Sequence, residues 1–385
     1  MKRLECLDGL RGALAVYVML GHMAPFAALP GWSQRLLSHG GAAVDVFFML
    51  SGLVILRSLE DRGFAARPFL IARTLRIFPV FLAMLAAGIA AEALPAPFAA
   101  MPWIGPDSLA HGIWSQGWPE HPVLEIAAHL TMTHGLFPNG VLPDAWVSFL
   151  GAAWSLSTEW QFYVLALLLG RTRMGAARLA AVLLALAAAG LAWDALAPEA
   201  WRFSRAFLPN RAHHFALGVA SGLWIGRQTA LGPGTLGAAR TLWPGWAFAG
   251  VLAAALVLCL ARGGAEKLLP PLLWTLCVAA QLHPRRLAPV AAPLRWPVMQ
   301  WLGAVSYPLY LANEPIQKAL GCLLVRLADG DGALFTALWL PGAVLLPLAA
   351  AALLHRFVEV PALRRGRTRG ERRPGYGETT MGVRS

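Results

Sequence analysis

Apolar stretches close to the roughly 20 residues that cross a bilayer as a helix recur along this chain from Leu10 to Val358. Of its 385 residues, 57% are hydrophobic and 14% charged, whereas soluble proteins carry roughly 25% charge. That balance excludes a soluble enzyme. Ten candidate spans cover residues 8–28, 41–57, 74–95, 147–170, 176–196, 208–226, 243–261, 268–283, 299–325 and 333–358, so the expected fold is all-α, a polytopic integral-membrane helical bundle of about ten transmembrane helices. The start MKRLECLDG precedes an apolar run that contains Arg11 and His22 and lacks a clear small-residue cleavage site. It reads as a retained first helix, with a signal peptide as the alternative.

The net charge of +12 raises the question of nucleic acid, but the basic residues sit in short gaps between apolar runs, where membrane orientation explains them better. With the amino terminus inside, Arg57, Arg62, Arg67, Arg73, Arg76, Arg171, Arg173, Arg178, Arg227, Arg240, Arg285, Arg286 and Arg295 fall on the inner side. The stretch from Gly88 to Val147 holds no Lys or Arg at all. Both termini are therefore expected in the cytoplasm, and the Pro-, Gly- and Trp-rich segment from Pro95 to Trp146 outside, with a short helix around Val123 to Leu136. One membrane domain is expected over 1–363, followed by a basic, disordered tail over 364–385 that lies near anionic headgroups. Membrane lipids are the expected partners and nucleic acid is not. The oligomeric state leaves no trace in the sequence.

Ionisable residues inside spans are expensive and need a reason. Arg11 and His22 stand eleven residues apart, which at about 100° per residue places them within about 20° on one helix face and about 16 Å apart along the axis. One helix then lines one cavity with a cation towards the inner side and a titratable base in the outer half; the plainer reading is a snorkelling Arg11 and a packed His22. Asp45, in GGAAVDVFFMLSGLVI, lies at similar depth in an antiparallel neighbour, where a carboxylate orients an imidazole base, or caps a helix, or pairs with another arginine. Arg73 and Arg76, one turn apart in FLIARTLRIFP, suit a phosphate clamp, though orientation alone also produces them. Glu159 lies within WSLSTEWQFY and is either a structural partner or a catalytic one. No GxSxG elbow surrounds any serine, Ser51 included, which leaves an acyl-serine unsupported. Cys6, Cys259, Cys277 and Cys322 have neither CxxC nor His-rich spacing, so they read as small buried hydrophobes and no metal site is expected.

Several ordered segments resemble the acyltransferase 3 family of bacterial membrane proteins, and the resemblance covers nearly the whole chain. LDGLRG with ten residues between Arg11 and His22 is similar to the family's Arg-x10-His signature; GAAVDVFFMLSG, Arg73-x-x-Arg76-Ile77-x-Pro79 and WSLSTEWQFY are similar to three more. Ser306, Tyr307, Tyr310, Leu311 and Pro315 resemble S-Y-x-x-Y-L-x-H-x-P, and Glu359 and Pro361 the closing E-x-P. In place of that motif's histidine this chain has Asn313, then Glu314, so a second imidazole is missing. After Pro361 only a short tail remains, so transfer is expected in the membrane domain or on a separate protein.

The resemblance implies an O-acyltransferase of the bacterial inner membrane, multi-pass, that moves an acyl group, acetyl by default, from cytoplasmic acyl-CoA to a hydroxyl of an extracytoplasmic or membrane-associated carbohydrate. No permanently bound cofactor is expected, and acyl-CoA serves as the donor. His22, Asp45, Arg11 and Glu159 are the expected catalytic set and Arg73 and Arg76 the donor site. Ser51, Trp154, Tyr163, Tyr310, Asn313 and Glu314 are expected to line the site. Two other classes fit the buried charges: a proton-coupled transporter, and a scaffold that hands acyl groups to a separate transferase. Turnover of labelled acyl-CoA by the isolated protein separates them.

Overall fold

A computed structural model describes residues 4–94, 96–114, 117–171, 175–230 and 245–370. The described residues are almost wholly helical and contain no strand, only an isolated bridge between Pro138 and Phe203. In chain order the helices are α1 (Glu5–Met23), α2 (Gly31–Leu37), α3 (Gly40–Glu60), α4 (Ala66–Ala91), α5 (Ala110–Ile113), α6 (Pro122–Leu130), α7 (Trp154–Arg171), α8 (Ala176–Leu196), α9 (Leu208–Ala230), α10 (Gly245–Gly263), α11 (Leu269–Leu282), α12 (Ala288–Leu294), α13 (Pro297–Ala328), α14 (Gly332–Leu354) and α15 (Val360–Gly370). Each of the ten apolar ranges thus contains one of these helices. Among the described residues, five segments are long and apolar enough to cross a membrane: Gly31–Leu59, Ala66–Ala91, Ala176–Leu196, Gly245–Gly263 and Gly332–Gly366. Helices α1, α7, α9 and α13 are diluted by polar residues, and most of these point inward; Ser306, Asn313, Gln317 and Lys318 of α13 are all buried. The helices that score as least lipid-like are those that build the interior of the bundle.

Two local expectations are corrected. The last span is not one regular helix, because His355–Glu359 forms a π-turn between α14 and α15. The expected tail begins inside α15, which runs to Gly370; its remainder, 371–385, lies outside the described residues, as do Arg173 and Arg240 of the charge census.

Helices α3 and α9 meet backbone to backbone, as small residues allow in lipid. A Cβ on Gly218 would lie 2.0 Å from the Met49 carbonyl oxygen, and one on Gly52 would lie 2.4 Å from that of Phe215. Neither obstacle is a movable side chain. Gly218→Val should therefore separate the helices and cost at least the roughly 1–3 kcal/mol typical of overpacking, lowering the unfolding temperature in detergent. An unchanged transition would contradict the close crossing.

The long segment between α4 and α7 is anchored rather than loose. Trp103 donates to the Phe26 carbonyl at 2.9 Å and Phe26 stacks on Trp114 at 3.7 Å between centroids. Nearer α7, His129 and His134 stack 4.1 Å apart with planes 6° from parallel, both fully buried. Nδ1 of His129 donates to the Glu125 carbonyl, and Nε2 of His134 donates to the carbonyl of Ala153, the residue before α7. Burial pushes the pKa of His129 down to about 4 and that of His134 well below the ordinary range, the neighbouring ring adding to the second effect. Both rings are neutral when folded, whereas the unfolded segment takes up protons near pH 6.5. The stability they contribute is complete above about pH 6.5 and is lost as pH falls towards 4. Protection factors across 122–153, referred to the intrinsic exchange rate at each pH, should fall between pH 7.5 and 5 more than they do in a His129→Phe/His134→Leu variant; an equal fall in both would contradict this assignment.

Candidate active site

Helix α13 is the spine of the site. Ser306, Tyr310, Asn313 and Gln317 follow the three- and four-residue steps of one helix face, and this face runs past two cavities. The larger, about 630 Å³, is lined among others by His22, Glu92, Trp146, Trp154, Arg205, Glu314 and Lys318. The smaller, about 210 Å³, is lined by Arg11, Ser51, Arg73, Arg76, Ser155, Glu159, Tyr163, Tyr307 and Tyr310. The wall between them is thin: Trp154 faces one cavity and Ser155 the other, and Glu314 and Tyr310, one turn apart on α13, divide in the same way. A hydrogen bond of 3.0 Å joins the Ser155 and Tyr310 hydroxyls at this wall. The single cavity expected along α1 is two, with Arg11 opening on the small one and His22 on the large one.

The partner of His22 is Asn313. Its Oδ1 lies 2.7 Å from Nδ1 of His22, while its Nδ2 donates to the carbonyls of Leu309 at 3.0 Å and Tyr310 at 2.7 Å. Those two bonds fix the amide with its oxygen towards the imidazole. An amide oxygen only accepts, so Nδ1 of His22 carries the ring proton and Nε2 is left as a bare lone pair. That is the tautomer a general base requires.

The expected His22–Asp45 pair does not form. Asp45 Oδ1 instead accepts from Arg211 at 3.0 Å and lies 3.4 Å from Nε2 of His214. Similar depth in antiparallel neighbours sets height but not azimuth, and α3 turns Asp45 towards α9. Asn313, expected from sequence as a lining residue in place of a histidine, supplies the orienting contact.

In the small cavity Glu159 accepts from Ser51 at 2.5 Å and from the Tyr163 hydroxyl. Arg73 donates to the Ser58 hydroxyl at 2.5 Å and lies 5.7 Å and 5.8 Å from the ring centroids of Phe69 and Tyr163. Its Nε is buried without a hydrogen-bond partner among the described residues. Arg76 pairs with the buried Glu359, which also accepts from Nδ1 of His355 at 2.6 Å. The π-turn thus delivers a carboxylate to Arg76, in keeping with the frequency of such turns at functional sites. Arg11 donates through Nε and Nη2 to the Gly303 carbonyl, at 3.1 Å and 2.5 Å. The two arginines expected as a clamp therefore share one cavity but differ: Arg76 has a carboxylate partner and Arg73 a hydroxyl.

Glu314 accepts from the Ala152 amide at 3.2 Å at the edge of the large cavity. Several lining residues escape sequence reasoning. Lys318 is buried inside α13 and lies 3.6 Å from the carboxylate of Glu92; the high cost of intramembrane charge was the signal that pointed to it. Arg205 lies over Trp146 at 5.0 Å and Trp154 at 5.8 Å, and no local spacing announces it.

The arrangement offers a base of defined tautomer in a roomy cavity, separated by a thin wall from an arginine-lined one. That layout suits group transfer between two substrates. The model of the acyltransferase 3 family, an acyltransferase domain, matches residues 4–356. No curated protein and no solved structure matches the chain. With the match running over nearly its whole length, the chain belongs to the acyltransferase 3 family and is a membrane acyltransferase.

Proposed function

We propose that this protein is a ten-span O-acyltransferase of the bacterial inner membrane, with both termini cytoplasmic, that moves an acetyl group from cytoplasmic acetyl-CoA to a carbohydrate hydroxyl outside the membrane or held within it. The observation that carries this reading is Nε2 of His22, without a hydrogen bond among the described residues, on the large cavity, with Arg11 of the same helix on the arginine-lined one. The small cavity takes the donor. Arg73 and Arg76 engage its phosphates, and the thioester arm extends along the α1–α13 seam towards His22. Glu159, held by Ser51 and Tyr163, keeps the wall of that cavity ordered. The large cavity takes the acceptor, with Trp146 and Trp154 as apolar faces for a sugar ring and Glu314 accepting from its hydroxyls.

Nε2 of His22 removes the proton from the attacking hydroxyl as its oxygen bonds to the thioester carbonyl carbon. The tetrahedral centre then collapses, the carbon–sulfur bond breaks, and the CoA thiolate leaves with the proton returned by His22. Asp45 contributes at a distance, by holding Arg211 and His214. The purified protein in liposomes, given labelled acetyl-CoA and envelope glycan, should transfer label to glycan with matching release of CoA. Donor consumption that requires an added soluble partner would favour the scaffold, and none under any condition would favour the transporter.

Arg73→Ala should raise the donor KM more than it lowers kcat, since the loss falls on binding and not on bond-making. Lysine should rescue only in part, because an ammonium lacks the bidentate fork. Arg76→Ala is the poorer test. It strips a buried carboxylate of its cation, a change that typically costs about 3–5 kcal/mol of stability. Loss of kcat at unchanged KM in Arg73→Ala would remove that residue from the donor site.

A further inference from the structure

We infer that His213 and His214 of α9, together with Cys259 of α10, form a binding site for one soft monovalent ion, Cu(I). Each of the three side chains presents a ligand atom within 4.8 Å of the others, and all are buried, at 1%, 2% and 2% exposure. The two rings lie 4.0 Å apart between centroids and are tilted by 40°. Nδ1 of both histidines is buried and has no hydrogen-bond partner among the described residues. For His214 the tautomer follows from its other nitrogen: Nε2 faces Asp45 Oδ1 at 3.4 Å and points its proton there, which leaves Nδ1 as a lone pair. A carboxylate behind the far nitrogen of a histidine is the usual outer support of a metal-binding imidazole. Two imidazoles and a thiol form a soft donor set, suited to Cu(I) or zinc rather than to magnesium or calcium.

Charge selects between those two. Arg211 is paired with Asp45, and Arg262 with Asp194 at 3.2 Å, so these two pairs cancel, and the Lys267 ammonium adds one positive charge near His214 and Cys259. On binding, the Cys259 thiol releases its proton to solvent and the thiolate neutralises Cu(I), so binding adds no charge to surroundings that already hold a surplus cation. Zinc would leave one uncompensated positive charge beside two guanidinium groups in a low-dielectric interior, where unpaired charge is expensive. The bound ion ties α9 to α10 and, through Asp45, both to α3. Sequence spacing hides the site because its ligands come from two helices, one of them contributing only a single cysteine.

The full-length protein in detergent, kept reduced and anaerobic, is given Cu(I) in the presence of bicinchoninate as competing chelator, and retained copper is measured by mass spectrometry. One copper per chain is expected, and X-ray absorption should show one sulfur and two nitrogen neighbours. Cys259→Ala, a small change at a site where cysteine packs as a hydrophobe, should lower retention at least tenfold, while Cys322→Ser keeps it. Equal retention by Cys259→Ala, or a two-sulfur shell in the wild-type protein, would assign the copper to other cysteines and overturn the site. Preferential retention of zinc would overturn the charge argument, and retention of neither metal would overturn the proposal.

Discussion

His22→Ala should lower turnover by on the order of 10² to 10⁴, the usual worth of a positioned general base, while membrane insertion and donor affinity persist. The size of the effect rests on geometry. Nε2 of His22 makes no hydrogen bond among the described residues, the ring lines the larger cavity, and its other nitrogen is committed to Asn313. His22 is only partly buried and its truncation leaves no charge unpaired, so a folding defect should not obscure the kinetic one. Expression level and elution in size-exclusion chromatography check this.

Asn313→Leu should have the second-largest effect, about 10² in kcat with little change in donor KM. Leucine removes the acceptor that holds the proton on Nδ1, and a histidine free to take the other tautomer presents an N–H where the acceptor hydroxyl must be deprotonated. In a well-studied serine protease triad a tautomer error of this kind costs about 10⁴; solvent access to the larger cavity makes the expected loss smaller here. Asn313→His should restore much of the activity, because one nitrogen of the new ring can accept from His22. Wild-type kcat in Asn313→Leu would show that tautomer control is not what this contact provides. The prediction bears on the resemblance as well, since this chain departs from the family pattern at that very position.

The helices were legible because lipid makes a strong demand on sequence: each apolar run of sufficient length folds as a helix, and the boundaries differ by a few residues at most positions. The π-turn at His355–Glu359 was not legible, since it changes only the hydrogen-bond register, which no residue type there announces. Within the site, the shared face of Arg11 and His22 could be read from the helical repeat, and the common cavity of Arg73 and Arg76 from their one-turn spacing. What lies opposite each of them could not. Asp45 and Asn313 both stand at depths compatible with His22, and the choice between them depends on how α3 and α13 are rotated against α1. Rotation is set by contacts hundreds of residues apart in the chain, such as the Arg11 bond to Gly303 and the Gly52–Gly218 crossing. The pairing of Glu92 with Lys318 and the convergence of His213, His214 and Cys259 are hidden for the same reason.

The central claim, that His22 deprotonates the acceptor as the thioester is attacked, is tested most directly by His22→Gln in liposomes supplied with labelled acetyl-CoA and envelope glycan. Glutamine keeps the size and hydrogen-bonding capacity of the side chain but cannot act as a base. The account predicts a folded protein that still binds the donor and transfers label at no more than about one hundredth of the wild-type rate. Near-normal transfer by that variant would contradict it.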